Sequence, residues 1–156
     1  MSASVEKRAK FALSVVIPAR DEAESLDRLL DALRSTYPDA ELILVDDGSS
    51  DTTAQVGRDR GARVVSHPYS MGNGAAIKTG ARVATGDVLV FMDADGQHDP
   101  EDIRRLVEPL SSGYEMVVGA RSAAGQSSFP RRLANVFYNR LASWMTGYRV
   151  EDLTSG

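Results

Sequence analysis

The sequence contains no cysteine. That excludes disulfides, thiolate zinc sites and a cysteine nucleophile, and it fits a reducing compartment. No apolar run approaches the ~18 residues that cross a bilayer; the longest, residues 88–92, has the length of a strand. Residues 1–10 are polar and lack the apolar centre of a signal peptide. Together these absences predict a cytoplasmic protein. An excess of positive charge is missing too: the net charge is −4, so nothing points to nucleic acid as a partner. Histidine occurs only as His67 and His98, and neither has an acid or nucleophile at a telling spacing. No repeat, linker or low-complexity tract interrupts the 156 residues, a length that suits one domain with its own core. The chain stops at Thr154-Ser155-Gly156 with no closing element, so the expectation is a single domain, 1–156, truncated at its C-terminal end.

What is there is an alternation of two periodicities. Residues 13–17 are a β-rich run ended by Pro18, and residues 24–35 carry Leu26, Leu29, Leu30 and Leu33 on one helical face. Residues 42–45 form a second strand. Ser50 or Asp51 caps a helix running to about Gly61, a fitting C-terminal stop. A weaker strand at 63–66 precedes a small, periodic helix over 74–84 with Ile77, Ala81 and Ala84 on one face. Residues 88–92 are apolar throughout, as expected of a strand covered on both faces. Asp99-Pro100-Glu101 starts a helix presenting Ile103, Leu106, Val107 and Leu110. Residues 116–118 are a fifth strand, and a long helix fills 130–148. Residues 123–128 are the one mobile loop expected. Strands alternating with helices predict an α/β fold with a mostly parallel sheet, and functional groups at the carboxyl ends of its strands.

The polar clusters fall at those ends. Pro18-Ala19-Arg20-Asp21-Glu22 follows the first strand, Asp46-Asp47-Gly48-Ser49 the second, Asp93-Ala94-Asp95-Gly96-Gln97 the fourth and Gly119-Ala120-Arg121 the fifth. Acids dominate three of the four, a pattern that repels phosphates unless a cation is present. Asp93 and Asp95 stand at i and i+2 and so point to one side of an extended segment. Hard oxygen ligands of this kind suit Mg²⁺ or Mn²⁺, which would sit on a diphosphate. Gln97 adds an amide oxygen or orients a water. Of Asp46 and Asp47, one contacts a ligand and the other serves a turn closed by Gly48. Asp21 with Glu24 fits a helix-capping arrangement, which leaves Glu22 unexplained. Gly72-Asn73-Gly74 either lets backbone N–H groups approach a ligand or is a plain loop. Lys78 is solvated, Asp99 is a cap, and Arg121 either pairs with phosphate or does not.

The ordered set Val16-Ile17-Pro18-Ala19-Arg20-Asp21-Glu22, Val45-Asp46-Asp47-Gly48-Ser49, Gly72-Asn73-Gly74-Ala75-Ala76, Gly86-Asp87, Asp93-Ala94-Asp95-Gly96-Gln97-His98 and Gly119-Ala120-Arg121 resembles family 2 glycosyltransferases of the GT-A fold. The branch it is most similar to is the polyprenyl-phosphate glycosyltransferases, with dolichol-phosphate mannosyltransferase as the best-known type. The resemblance runs from Leu13 to Gly156 and implies a Rossmann-like, mostly parallel sheet flanked by helices on both faces. It implies that Pro18, Ala19, Glu22 and Asp46 hold the nucleoside, with Asp47, Gly74 and Ala94 beside the donor. It assigns Asp93, Asp95 and Gln97 to metal and diphosphate, Arg121 to phosphate oxygens, and Arg131 or Arg132 to the acceptor phosphate. Asp152 to Gly156 is similar to the family's Asp-x-x-Ser-Gly segment. Asp21 stands where many members have Asn, and Asn73 where several have Lys.

The implied reaction is metal-dependent inverting transfer of a sugar from a GDP- or UDP-linked donor to a lipid phosphate at the membrane surface. Asp95 and Arg121 are the catalytic pair of that reading, and a phosphate acceptor, already anionic, needs no general base. The protein would then be peripheral at the cytoplasmic membrane face. An alternative keeps the donor chemistry and takes a polysaccharide or other hydroxyl acceptor. Two lower-ranked alternatives are a sugar nucleotidyltransferase and a donor-binding module without turnover. Nothing in the residues speaks to the oligomeric state.

Overall fold

The computed structural model describes residues 11–119. The chain divides into two compact units, Met1–Ser112 and Gly113–Gly156; of the second, only 113–119 are described. Arg121, Arg131, Arg132, the loop at 123–128 and the helix at 130–148 therefore lie outside the described residues.

The first unit is a four-stranded, wholly parallel sheet of order β3-β2-β1-β4. Its elements are β1 (Leu13–Ala19), α1 (Ala23–Thr36), β2 (Glu41–Asp46), α2 (Thr53–Asp59), β3 (Arg63–Ser66), α3 (Asn73–Val83), β4 (Val88–Phe91) and α4 (Asp102–Val107). The chain winds outward from β1 to β3, then crosses back to lay β4 on the other side of β1. Right-handed crossovers put helices made in opposite winding directions on opposite faces. So α1 buries Leu26, Leu29, Leu30 and Leu33 on the face carrying Val15, Ile17, Leu42 and Leu44, where Ile103 of α4 joins them. Ala76 of α3 packs with Val16, Ile43 and Val45 on the other face. Each fully buried leucine is worth ~1.5–3 kcal/mol of transfer free energy.

Helix ends follow local chemistry. Past α2, Gly61 takes φ 72°; Ala62 N–H donates to Gly57 O at 2.9 Å and Gly61 N–H to Arg58 O at 3.0 Å. This pair of bonds is the Schellman stop, so the glycine sits where the sequence placed it. The N-cap of α2 is Thr52, not Ser50 or Asp51, and makes no side-chain cap bond; Asp51, one residue earlier, accepts the Thr53 N–H at 2.8 Å. The Asp99 carboxylate accepts from Glu101 N–H at 3.0 Å, and α4 begins just after. It ends at Val107, earlier than Leu110, because Pro109 has no N–H to continue the ladder, and Glu108–Ser112 tighten into a 3-10 turn.

Four expectations about the elements fail. The buried positions of α3 are Ala76 and Gly80, with Ala84 packed beside them at the helix end, so Ile77 and Ala81 do not form the buried face. A Cβ on Gly80 would lie 2.1 Å from Val16 Cγ1, so close helix–sheet approach selects the small residues. Residues 116–118 are not a strand: no ladder joins them to another among the described residues, and Met116 and Val118 are exposed. Third, β4 is buried on one face only, through Val90, while Leu89 and Phe91 are exposed.

The strand β1 also runs through Pro18 instead of ending before it. Ala19 O accepts Asp47 N–H and Val16 O accepts Met92 N–H, so Ala19 faces β2 while Val16 and Pro18 face β4. Proline offers β4 no donor, and the β1–β4 register stops at Val16 paired with Phe91. The two strands part there, at the point where the winding reverses. Open parallel sheets bind ligands in that crevice.

Candidate functional site

A cleft of about 440 Å³ opens at this point. From β1 come Pro18 and Ala19, followed by Arg20 and Glu22; from the end of β4 come Asp93, Ala94 and Asp95. The third side is Asp47, Ser70, Gly72, Asn73 and Ala76. Of the residues singled out by sequence, Pro18, Ala19, Glu22, Asp47, Asp93, Ala94 and Asp95 thus come together. Asp46, Gly74 and Gln97 are not among the lining residues. Arg20, Ser70, Asn73 and Ala76 were not singled out as donor contacts; Arg20 and Asn73 sat inside motifs without a spacing argument of their own.

Two loops make the β1 side rigid. Asp21, at φ 54°, turns its carboxylate away from α1, which has no side-chain cap. Its Oδ1 accepts from Ser50 N–H at 2.7 Å, Ser50 Oγ–H at 3.0 Å and Asp51 N–H at 3.3 Å. In return Ser49 Oγ accepts Asp21 N–H, Thr53 Oγ1 accepts Glu22 N–H and Asp51 Oδ2 accepts Ala23 N–H. The expected Asp21–Glu24 cap is therefore replaced by a lock between the β1–α1 and β2–α2 loops. Hydrogen bonds from the Ser50 backbone and hydroxyl hold the Asp21 carboxyl below its ordinary value.

The two acids after β2 divide their work. Asp46 is 5% exposed, and its Oδ1 accepts Ser49 N–H at 3.0 Å, closing the turn in which Gly48 takes φ 72°. In Asp47, Oδ1 meets His67 Nδ1 at 2.7 Å and Met71 N–H at 2.8 Å; Oδ2 accepts from Ser70 Oγ–H at 2.8 Å and Gly72 N–H at 2.9 Å. Its four acceptor positions are filled by protein donors. Burial works against the charged form, but these bonds outweigh it and hold the carboxyl far below its ordinary value. His67 thus does have an acid partner, from a neighbouring strand end.

The β4 side is open and acidic. Asp95 Oδ1 accepts Gln97 N–H at 2.9 Å, so Gln97 serves Asp95 through its backbone. His98 Nε2 lies 3.8 Å from Asp93 Oδ2, and both side chains are about 40% exposed. Burial, then the charges of Asp95, Asp93 and Asp51, push the Glu22 carboxyl above its ordinary value. Four carboxyl groups line the cleft; Asp47 is held by protein donors, while Glu22, Asp93 and Asp95 converge and repel, with Arg20 as the one basic lining residue among those described. A divalent cation relieves that repulsion, and oxygen donors suit Mg²⁺ or Mn²⁺. Among the described residues no group of three or more His, Cys, Asp or Glu is arranged to hold a metal. Two carboxylates with the remaining positions left to water and substrate phosphate is the usual habit of Mg²⁺, so the pair fits such an ion as a shared, not a caged, one.

Comparison with known proteins gives the family and the fold. The sequence pattern of the family described as Glycosyl transferase family 2 matches residues 14–154. An undecaprenyl-phosphate 4-deoxy-4-formamido-L-arabinose transferase of Pectobacterium carotovorum is 39% identical over 150 residues, covering 90% of this chain and 46% of the relative. The transferase of the same description from Pseudomonas fluorescens is 39% identical over 153 residues, covering 90% and 44%. The chain spans about half the length of the curated relatives it matches. Among solved structures, glucosyl-3-phosphoglycerate synthase of Mycobacterium tuberculosis with Mn²⁺ and UDP-glucose aligns with a TM-score of 0.59 at 33% identity, over 67% of this chain and 41% of that one. The same enzyme is also similar in a complex with Mg²⁺ and UDP, at a TM-score of 0.58 and 33% identity, over 65% and 40%.

Proposed function

The chain belongs to glycosyl transferase family 2, and from that premise we propose that it is the donor-binding domain of an inverting transferase that moves a sugar from a nucleoside-diphosphate sugar to a polyprenyl phosphate. The observation that carries the reading is the Asp93/Asp95 pair at the reversal of the sheet, facing Glu22 across the cleft.

In this account Pro18, Ala19 and Glu22 hold the nucleoside from the β1 side, with Asp46 assisting from the turn behind them. Asp93 and Asp95 hold Mg²⁺ or Mn²⁺, which supplies charge stabilisation for the departing diphosphate. Ala94, between them, is buried, and both acids line the cleft. Gln97 fixes the Asp95 carboxylate through its N–H, and its amide oxygen is proposed as a further metal or diphosphate contact, with Gly74 at the start of α3. Arg121 is assigned to the diphosphate, and Arg131 or Arg132 to the acceptor phosphate. The C1–O bond to the nucleoside diphosphate breaks as an oxygen of the acceptor phosphate forms the new C1–O bond from the opposite face. The acceptor is an anion before attack, so no base on this chain takes a proton.

Among the described residues no helix is long and apolar enough to cross a membrane. The relatives' names carry undecaprenyl phosphate, which supports a lipid-phosphate acceptor, and we propose that this domain meets it as a peripheral element at the cytoplasmic membrane face. A second reading keeps the donor site and changes the acceptor to a hydroxyl compound. The solved structure with phosphoglyceric acid bound, 33% identical to this chain, favours it. Full-length protein with Mn²⁺, labelled UDP- and GDP-sugars, and either undecaprenyl phosphate or 3-phosphoglycerate separates the two. Transfer only to the lipid phosphate supports the first reading; transfer only to the hydroxyl acid sinks it.

A further inference from the structure

Behind the cleft wall runs a buried polar chain to which the proposed donor and metal contacts give no role. The side chains of His67, just past β3, and Asp47, just past β2, are 7% and 8% exposed. His67 Nδ1 lies 2.7 Å from Asp47 Oδ1, and Nε2 lies 2.9 Å from Thr79 Oγ1 on α3. A carboxylate only accepts, so Nδ1 carries the proton, and Nε2 meets a hydroxyl able to donate or accept. One imidazole therefore joins the end of β2 to α3, and through Asp47 to Ser70, Met71 and Gly72.

The loop at 68–72 has little else to hold it. Its large side chains, Tyr69 and Met71, are 67% and 52% exposed and add nothing to the core. The backbone of Tyr69 and Ser70 instead lies against Gly48, where a Cβ would come within 2.7 Å. Ser70, Gly72 and Asn73 are nonetheless one side of the cleft. The shape of that side rests on the orientation of one buried carboxylate, and a buried network of this kind is rigid only when fully satisfied.

We propose that His67 is a positioning residue for the nucleotide-sugar site: its Nδ1–H fixes the Asp47 carboxylate in the orientation that clamps Ser70, Met71 and Gly72, and so sets the cleft wall. The inference rests on the reading of the cleft as a nucleotide-sugar site. His67 is not among the cleft-lining residues, whereas Asp47 is, and His67 acts on the cleft through that carboxylate.

Two variants divide the imidazole's contacts. His67→Asn puts an amide N–H near the Nδ1 position and keeps the bond to Asp47 while giving up Thr79. His67→Gln puts its amide near Nε2, keeps Thr79 and gives up Asp47. UDP and GDP are titrated calorimetrically with Mn²⁺ into wild type and both variants, with melting temperatures and amide exchange at Met71 and Gly72. The expected result is binding by His67→Asn within about threefold of wild type, and by His67→Gln about tenfold or more weaker, at similar melting temperatures. Exchange at Met71 and Gly72 then speeds up only in His67→Gln. Equal losses in both variants, no loss in either, or a loss that follows melting temperature overturns the inference. If wild type binds neither nucleotide, the cleft reading fails instead, and amide exchange alone decides the clamp: selective loosening in His67→Gln supports it, and identical exchange in the two variants overturns it.

Discussion

Asp21 and Ser50, from different loops, are joined twice: Asp21 Oδ1 accepts the Ser50 backbone N–H at 2.7 Å and its hydroxyl at 3.0 Å. One oxygen carries both bonds and the third, from Asp51 N–H. Asparagine offers the same single oxygen and tolerates a φ of 54° as well as aspartate does. Asp21→Asn is therefore expected to lower the urea midpoint only slightly. Asp21→Ala removes the acceptor at a left-handed backbone position and is expected to lower the urea midpoint clearly more than Asp21→Asn does. Equal stability of the two variants would show that the lock contributes nothing.

Asp47 carries the strongest electrostatic prediction. Its folded-state carboxyl lies far below the ordinary value, so its contribution is fully present above about pH 4 and is lost as pH falls toward the depressed folded value. Asp21 and Asp51 shift in the same direction. Glu22 has the opposite sign: its raised value favours the folded state in acid and loses that advantage as pH rises through its titration. Asp47→Asn places an amide NH₂ against donors and should cost about 2–3 kcal/mol at pH 7. The difference between wild type and variant should shrink as pH falls below about 4. A difference that stays constant from pH 7 to pH 3 contradicts the assignment.

Gly80 makes the packing testable. A Cβ there would meet Val16 Cγ1 at 2.1 Å, and Val16 is fully buried. Gly80→Ala should destabilise by about 1–3 kcal/mol through overpacking. Val16→Ala opens the space, so the double variant should be less destabilised than the sum of the singles. Because Ala76 on the same helix lines the cleft, nucleotide affinity should fall in Gly80→Ala and recover in the double variant. Strict additivity would place the strain elsewhere.

The sequence was most legible where a signal is local. The leucines of α1, the Gly61 stop and the acids after β1, β2 and β4 announce themselves within a few residues. The motif set also marked the family before any strand was paired. What stayed hidden depends on partners brought together by the sheet. Asp21 meets Ser50 across 29 residues and His67 meets Asp47 across 20, beyond any helical or strand period. The inward face of α3 was misjudged because periodicity favours the larger Ile77, while contact with Val16 demands Gly80. The fifth strand was assigned on composition alone, and residues 116–118 have no ladder among the described residues. The order β3-β2-β1-β4, which opens the crevice, leaves no trace in periodicity.

The central claim is that Asp93 and Asp95 form a metal site for the diphosphate of a nucleotide sugar. The direct measurement is calorimetric titration of UDP and GDP, with and without Mn²⁺, into wild type and Asp95→Asn. One nucleotide should bind wild type only with the metal, and Asp95→Asn should lose about tenfold or more of that affinity while its melting temperature is unchanged. Metal-independent binding in wild type, or unchanged Mn²⁺-dependent binding in Asp95→Asn, would contradict the account.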